Sequence, residues 1–209
     1  MDVSQVSIPR PPAGITPRQF FEDWLPPILK EFMPVIQSNM GDLQLACGFQ
    51  VAGEQSGEWS VKIGRGEVKL APGLDPDAVL TLSLSTANFV EAVIGERDDL
   101  LPGLPWLKKG GWGDPVEIGR QIRNGAGYLG SMKGTLLFRA MDPSRPFQTL
   151  LKFQGETKDE PDVVISIDQE VLRRMARGES SILNAFMSGH IKISGAMHLL
   201  MSFASLVMR

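Results

Sequence analysis

The sequence is poor in the residues from which reactive centres are built. With one cysteine, Cys47, no internal disulfide can form, and two histidines leave too few strong ligands for a structural zinc site. Acidic residues outnumber basic ones, for a net charge of −3 and a pI of about 5.5, which argues against nucleic acid as a partner. No run of about 18 apolar residues occurs, so nothing reads as a membrane span. The opening "MDVSQVSIPRPPAG" lacks an apolar core of the secretory kind and reads as a flexible leader, residues 1–13, of a cytoplasmic protein.

Apolar side chains, by contrast, make up 43% of the 209 residues, enough for a sizeable core. They are densest at the end. From Ala196 to Met208 the only polar residues are His198, Ser202 and Ser205, which fall on one narrow helical stripe. A surface helix needs only about a third of its circumference to be apolar, so the rest of this one must touch something more. Met187, Met197, Met201 and Met208 lie in this stretch, and the unbranched thioether re-packs readily around differing neighbours.

Local signals outline the elements. Thr16-Pro17 reads as a helix start, and Phe20, Phe21, Trp24, Leu25, Ile28, Leu29 and Phe32 follow with a helical period. Pro26 and Pro27 imply two shorter helices or one kinked one. Strands are expected up to Val51, over Trp59–Val61–Ile63, around Val68 and Leu70, and through Leu82 and Leu84, before a short helix in "STANFVEAVIGE". Much of that order then recurs. Asp114-Pro115 opens a helix, "TLLFRA" sets Phe138 against Phe49, and Gly155-Glu156 stands against Gly66-Glu67. "EPDVVISI" answers "DPDAVLTLS", and "QEVLRRMARGE" answers "TANFVEAVIGE". An insertion before Pro76 and a two-residue shift before the helix align the halves. The shared order favours a duplication over a chance likeness of two αβ segments.

Ala185, Phe186, Met187, Gly189, Ile191, Ile193, Gly195 and Met197 spell A-F-M-x-G-x-[LI]-x-[IV]-x-G-x-M, after a strand led by Pro161-Asp162 and a helix ending in Gly178-Glu179. This pattern resembles the sterol carrier protein 2 (SCP2) lipid-binding domain family. The likeness spans about 136–209, and over 14–97 it extends to Phe49, Trp59, Pro76-Asp77 and Gly95-Glu96, but the first half lacks the A-F-M-x-G block. The resemblance implies a five-stranded mixed sheet flanked by helices, with an apolar tunnel for a sterol, fatty acid, acyl-CoA or phospholipid. One side of the last helix would then pack on the sheet while another closes the cavity; the alternative is plain core between two halves. The expected wall is Phe186, Met187, Met197, Leu200, Met201, Ala204 and Met208, with Leu172 and Met175 from the preceding helix.

Other motifs read as bland. "GAGYLG", residues 125–130, fits G-x-G-x-x-G but follows a helical segment and precedes a strand, the reverse of a dinucleotide fingerprint; its glycines suggest closely packed backbone. His190 and His198 lie on different elements, and Ser188 lacks a nucleophile elbow. Asp98-Asp99 and Asp159-Glu160 read as solvated turns. Arg173, Arg174 and Arg177 read as a solvated face, with an anionic-headgroup site as the alternative. In "LLPGLPWLKKGGWG", Trp106, Lys108, Lys109 and Trp112 suit either an inter-repeat linker or a membrane or lid contact.

The expected fold is therefore α+β: an SCP2-like mixed β-sheet flanked by helices, in two degenerate repeats, 14–106 and 107–209, packed as a pseudo-dimer or sharing one sheet. The expected function is a non-enzymatic, cofactor-free cytoplasmic carrier of a hydrophobic small molecule. The alternative is an interaction module that docks a partner protein or membrane surface through the apolar helix and Trp loop. An enzyme acting on lipid would need convergent polar groups of shifted pKa, and the sequence shows no such set.

Overall fold

Helix starts in this chain are written in short polar side chains. Thr16 Oγ1 accepts from Gln19 N while Gln19 Oε1 accepts from Thr16 N, a reciprocal cap that opens α1 (Pro17–Gln19). A π-helical turn (Phe20–Trp24) leads directly into α2 (Leu25–Met40). This wide turn precedes Pro26 and Pro27, which fall in the first turn of α2, so the helical run widens instead of breaking. Asp114 caps α4 (Pro115–Leu129) with proline again at its first position. The computed structural model describes residues 8–64, 67–94, 114–154 and 160–207.

The strands are β1 (Leu45–Ala52), β2 (Gly57–Gly64), β3 (Glu67–Pro72), β4 (Leu80–Ser85), β5 (Thr135–Met141), β6 (Phe147–Phe153), β7 (Val163–Asp168) and β8 (Ile191–Gly195). Between them come α3 (Thr86–Phe89), a second π-helical turn (Val90–Ile94), α5 (Gln169–Ala176) and α6 (Ile182–Met187); α7 (Met197–Val207) follows β8. All eight strands form one mixed sheet in the order β3-β2-β1-β4-β6-β5-β7-β8. Of the two expected arrangements, the halves thus share one continuous sheet.

Pairing is alike in the two halves. β1 runs antiparallel to β2 and parallel to β4, as β5 does to β6 and β7. Phe49 faces Trp59 and Leu82, and Phe138 faces Thr149 and Ile165. This register corrects the alignment read from sequence. Leu82, not Leu80, corresponds to Ile165, and each strand ends three residues later in a helix cap, Ser85 or Asp168. The two-residue shift therefore belongs to the turn before β4, where added length is tolerated, and not to the junction with the helix. The first half, whose sequence lacks an A-F-M-x-G block, has β6 antiparallel against β4 where the second half has β8 against β7.

One face of the sheet carries the core. Phe20, Phe21 and Phe89 close over Val51 and Trp59; Phe32, Met33 and Ile36 of α2 pack with Ile63, Val68 and with Ile118 and Ile122 of α4. The reverse face is polar at the junction. Gln50 Oε1 accepts from Ser83 Oγ at 3.0 Å and Lys152 Nζ at 2.8 Å, and Gln50 Nε2 donates to Glu58 at 2.7 Å. Asn88 Nδ2 also donates to Gln148 O at 2.7 Å, so polar bonds tie first half to second.

One local expectation is corrected. "GAGYLG" is helical up to Leu129, and a Cβ on Gly127 would meet nothing within 4 Å, so close packing does not explain that glycine. The residues 182–187 form the short helix α6, capped by Ser181 Oγ on Asn184 N.

Candidate functional site

In the second half, strand alternation sends three cross-strand rows of side chains to the helix-covered face. Leu136 and Val163 pair in the first row, which ends at Gly195. Phe138, Ile165 and Ile193 form the second; Ala140, Ile167 and Ile191 form the third. The outer rows are sealed. Leu199 of α7 closes over Leu136 and Val163, with Met132 and Phe153. Leu172 of α5 and Ala185 of α6 close over Ala140, Ile167 and Ile191. The middle row is only half-buried, and Phe138 and Ile165 border both clusters without completing either. An apolar strip thus lies between α7 on one side and α5 with α6 on the other.

The motif residues fix the corner from which α7 starts. Asp162 Oδ2 accepts from Thr135 N at 2.8 Å and Thr135 Oγ1 at 3.1 Å, while Thr135 Oγ1 accepts from Asp162 N at 3.0 Å. The Asp162 carbonyl also accepts from Ala196 N at 2.8 Å, at the corner where β8 turns into α7. Gly195 sits there with φ +105°, and a Cβ would run into the Asp162 carbonyl oxygen. The Pro-Asp and glycine of the sequence pattern are therefore two sides of one corner that sets α7 on the first row.

The expected wall residues fall into three groups. Leu172 is core, and Met175 packs half-buried against the same cluster. Leu200 and Ala204 are half-buried on α7, Leu200 in the cluster with Leu136. Phe186 (49%), Met187 (77%), Met197 (62%) and Met201 (61%) are exposed on α6 and α7, as is Leu183. Met208, Trp106, Lys108, Lys109 and Trp112 lie outside the described residues, as do Asp98, Asp99 and Asp159. Phe138, Ile165 and Ile193, the half-buried row, are not among the expected wall residues. Their signal was present in the two-residue alternation of β5, β7 and β8, but pairing three strands in register was needed to see them as one row.

Polar groups nearby are engaged in ordinary surface chemistry. Arg177 bonds Glu179 at 2.7 Å and Glu170 at 3.4 Å, and Arg173 bonds Glu170 at 3.3 Å. The hydrogen bond from Arg177 holds the Glu179 carboxyl below its ordinary range. His190, between α6 and β8, and His198, on α7, are both exposed. Cys47, on β1, is lifted to about 11 by burial and is therefore a poor nucleophile. Among the described residues no three His, Cys, Asp or Glu gather as a metal site, and no helix is long and apolar enough to cross a membrane.

Two open surface depressions lie elsewhere, and none of the described wall residues lines either. One, of about 700 Å³, sits between the end of α2 and Ile63-Gly64. The other, of about 930 Å³, lies between Asn88 and Glu91 and the β5–β6 hairpin.

Residues 122–208 match the profile of the SCP-2 sterol transfer family. The resemblance carried by the Ala185–Met197 block therefore holds over these residues, which include the half-buried row. No curated protein matches the chain. Among solved structures, sterol carrier protein 2 like 2 of Aedes aegypti is 17% identical, with 35% of this chain and 73% of that one covered at a TM-score of 0.30. The sterol carrier protein domain 2 of Helicoverpa armigera is 21% identical (42% and 76% covered, TM-score 0.33), and sterol carrier protein 2 of Yarrowia lipolytica in its apo form 11% (39% and 78%, TM-score 0.31).

Proposed function

We propose that this protein is a non-enzymatic cytoplasmic carrier of a hydrophobic molecule, a sterol, fatty acid, acyl-CoA or phospholipid, held along the Phe138–Ile165–Ile193 row. The observation that carries this reading is a half-buried apolar row between two sealed ones, inside the segment that matches the sterol transfer profile. Simple geometry supports it. The outer rows are four residues apart along each strand, roughly 13 Å. Closely packed helices stand about 8–10 Å apart, so helices seated on those rows would leave a gap of roughly 4 Å, the contact distance between carbons. Such a slot has the thickness of an alkyl chain.

Burial alone provides enough free energy. Removing about sixteen methylenes from water is worth on the order of 13 kcal/mol at roughly 0.8 each. Immobilisation costs from about 4 to over 10 kcal/mol, leaving a dissociation constant in the micromolar to millimolar range, tighter where the slot is preformed. Neither a nucleophile nor a metal is required, and specificity would be loose. The common pairing of the two halves favours descent by duplication, with repeats of about 14–106 and 107–209. Organic extraction of natively purified protein followed by mass spectrometry tests the carrier. Stoichiometric lipid is expected; stable protein that is free of lipid would argue against it.

A second reading rests on a separate observation. Leu183, Phe186, Met187, Met197 and Met201 expose apolar surface within nineteen residues of sequence. These side chains suit docking to a partner protein or membrane surface, with or without a bound lipid. Lipid-free protein that associates through these residues would favour this alternative.

A further inference from the structure

We infer that the chain holds one ligand and not two, because in the first half one of its own side chains, Phe21, takes the ligand's place. This rests on the carrier reading for what occupies the second half, but the filling of the first half stands on geometry of its own. The row that corresponds to Phe138–Ile165 is Phe49–Leu82. Phe21 is 1% exposed there, its ring stacked on Trp59 at 4.5 Å and set against Phe49 at 5.1 Å and Phe89 at 5.6 Å. Phe20 extends the cluster by meeting Phe89 edge-on at 5.3 Å. The space above the first half's sheet is thus packed with aromatic rings.

Three corresponding positions differ, and each change reduces bulk in the second half. Trp59, across from Phe49, corresponds to Thr149, across from Phe138. Phe89, four residues after the cap Ser85, corresponds to Leu172, four after the cap Asp168. Phe21, five residues after the cap Thr16, corresponds to Gly119, five after the cap Asp114. Gly119 also redirects its helix. A Cβ there would run into the Ile36 carbonyl oxygen and stand 2.9 Å from Asn39 Cβ, so glycine is what lets α4 lie against α2. Ile118 and Ile122 accordingly join the cluster under α2. The helix that lays two phenylalanines on its own sheet in the first half is drawn aside in the second; Phe49 and Leu82 are half-buried, as Phe138 and Ile165 are, and what sets the first half apart is the Phe21 ring seated against Phe49.

The test is a titration of the full-length, isotope-labelled chain with benzene, a probe small enough for a single-ring vacancy, followed by amide and indole NMR shifts. In the wild type, saturable shifts are expected at Ile165 and Ile193 and none at Val51, Trp59 or Phe89. Phe21→Ala should add saturable shifts at those three. Should that variant fail to fold, Phe21→Leu under xenon pressure reads the same residues through a smaller vacancy. Saturable shifts at Trp59 in the wild type, or their absence in a folded Phe21 variant, would overturn the inference. A wild type silent at Ile165 and Ile193 would instead count against the carrier reading and leave the Phe21 result to be judged by the variants.

Discussion

Alanine at two glycines of the same helix should act in opposite directions. Gly119 and Gly127 both lie inside α4, where replacing glycine by alanine is worth about 0.8–1 kcal/mol of helix propensity. At Gly127 a Cβ would meet nothing within 4 Å, so that gain should appear almost whole. At Gly119 the methyl would collide with the Ile36 carbonyl oxygen and crowd Asn39 Cβ, at 2.9 Å. The first is backbone within α2 and cannot swing away as a long side chain would. Overpacking of this kind costs typically about 1–3 kcal/mol, so the net change at Gly119 should be a loss of up to roughly 2 kcal/mol. Urea unfolding with a common m-value reads both. A midpoint raised for Gly127→Ala and lowered for Gly119→Ala is the expected pair. Equal stabilisation by both would refute the close approach of α4 to α2, and with it the explanation of why no counterpart of Phe21 stands at Gly119 of α4.

Asp162→Ala leaves Thr135 without its acceptor at a buried corner, and should cost about 1–3 kcal/mol in urea unfolding; an unchanged midpoint would mean the corner does not hold α7. Met201→Asp alters an exposed residue, so stability should shift by no more than about 0.5 kcal/mol. Uptake of a fluorescent fatty acid should nonetheless fall about tenfold or more, since an unpaired carboxylate is disfavoured beside an apolar chain. Wild-type uptake would place Met201 outside the site. Burial lifts Cys47 from 9.0 to about 11, so the folded thiol keeps its proton where the unfolded one loses it. Its contribution to stability is therefore full below pH 9 and is lost as pH rises towards about 11, a dependence that Cys47→Ala should remove from pH-resolved melting.

Local chemistry made much of the fold legible. Thr16-Pro17 and Asp114-Pro115 announce helices because a side-chain acceptor and a preset φ act within a few residues. The alternation in β4 and β7 likewise needs only neighbours. What escaped reading depends on distant chain. Gly119 carries no local signal, since its reason is the backbone of α2. That Met197 and Met201 stand exposed on α7 was not legible either, because apolar spacing does not fix which side of a helix the rest of the chain covers. The row of Phe138, Ile165 and Ile193 exists only once β5, β7 and β8 are paired, and its partial exposure depends on where the helices above them stand.

Intermolecular NOEs from an isotope-labelled fatty acid bound to the full chain would locate the ligand. Contacts to the Phe138 ring and to the side-chain methyls of Ile165 and Ile193 are predicted, with Val51 and Trp59 silent. A saturated complex whose contacts avoid that row, or a chain that takes up no fatty acid, sterol, acyl-CoA or phospholipid at millimolar concentration, would contradict the carrier.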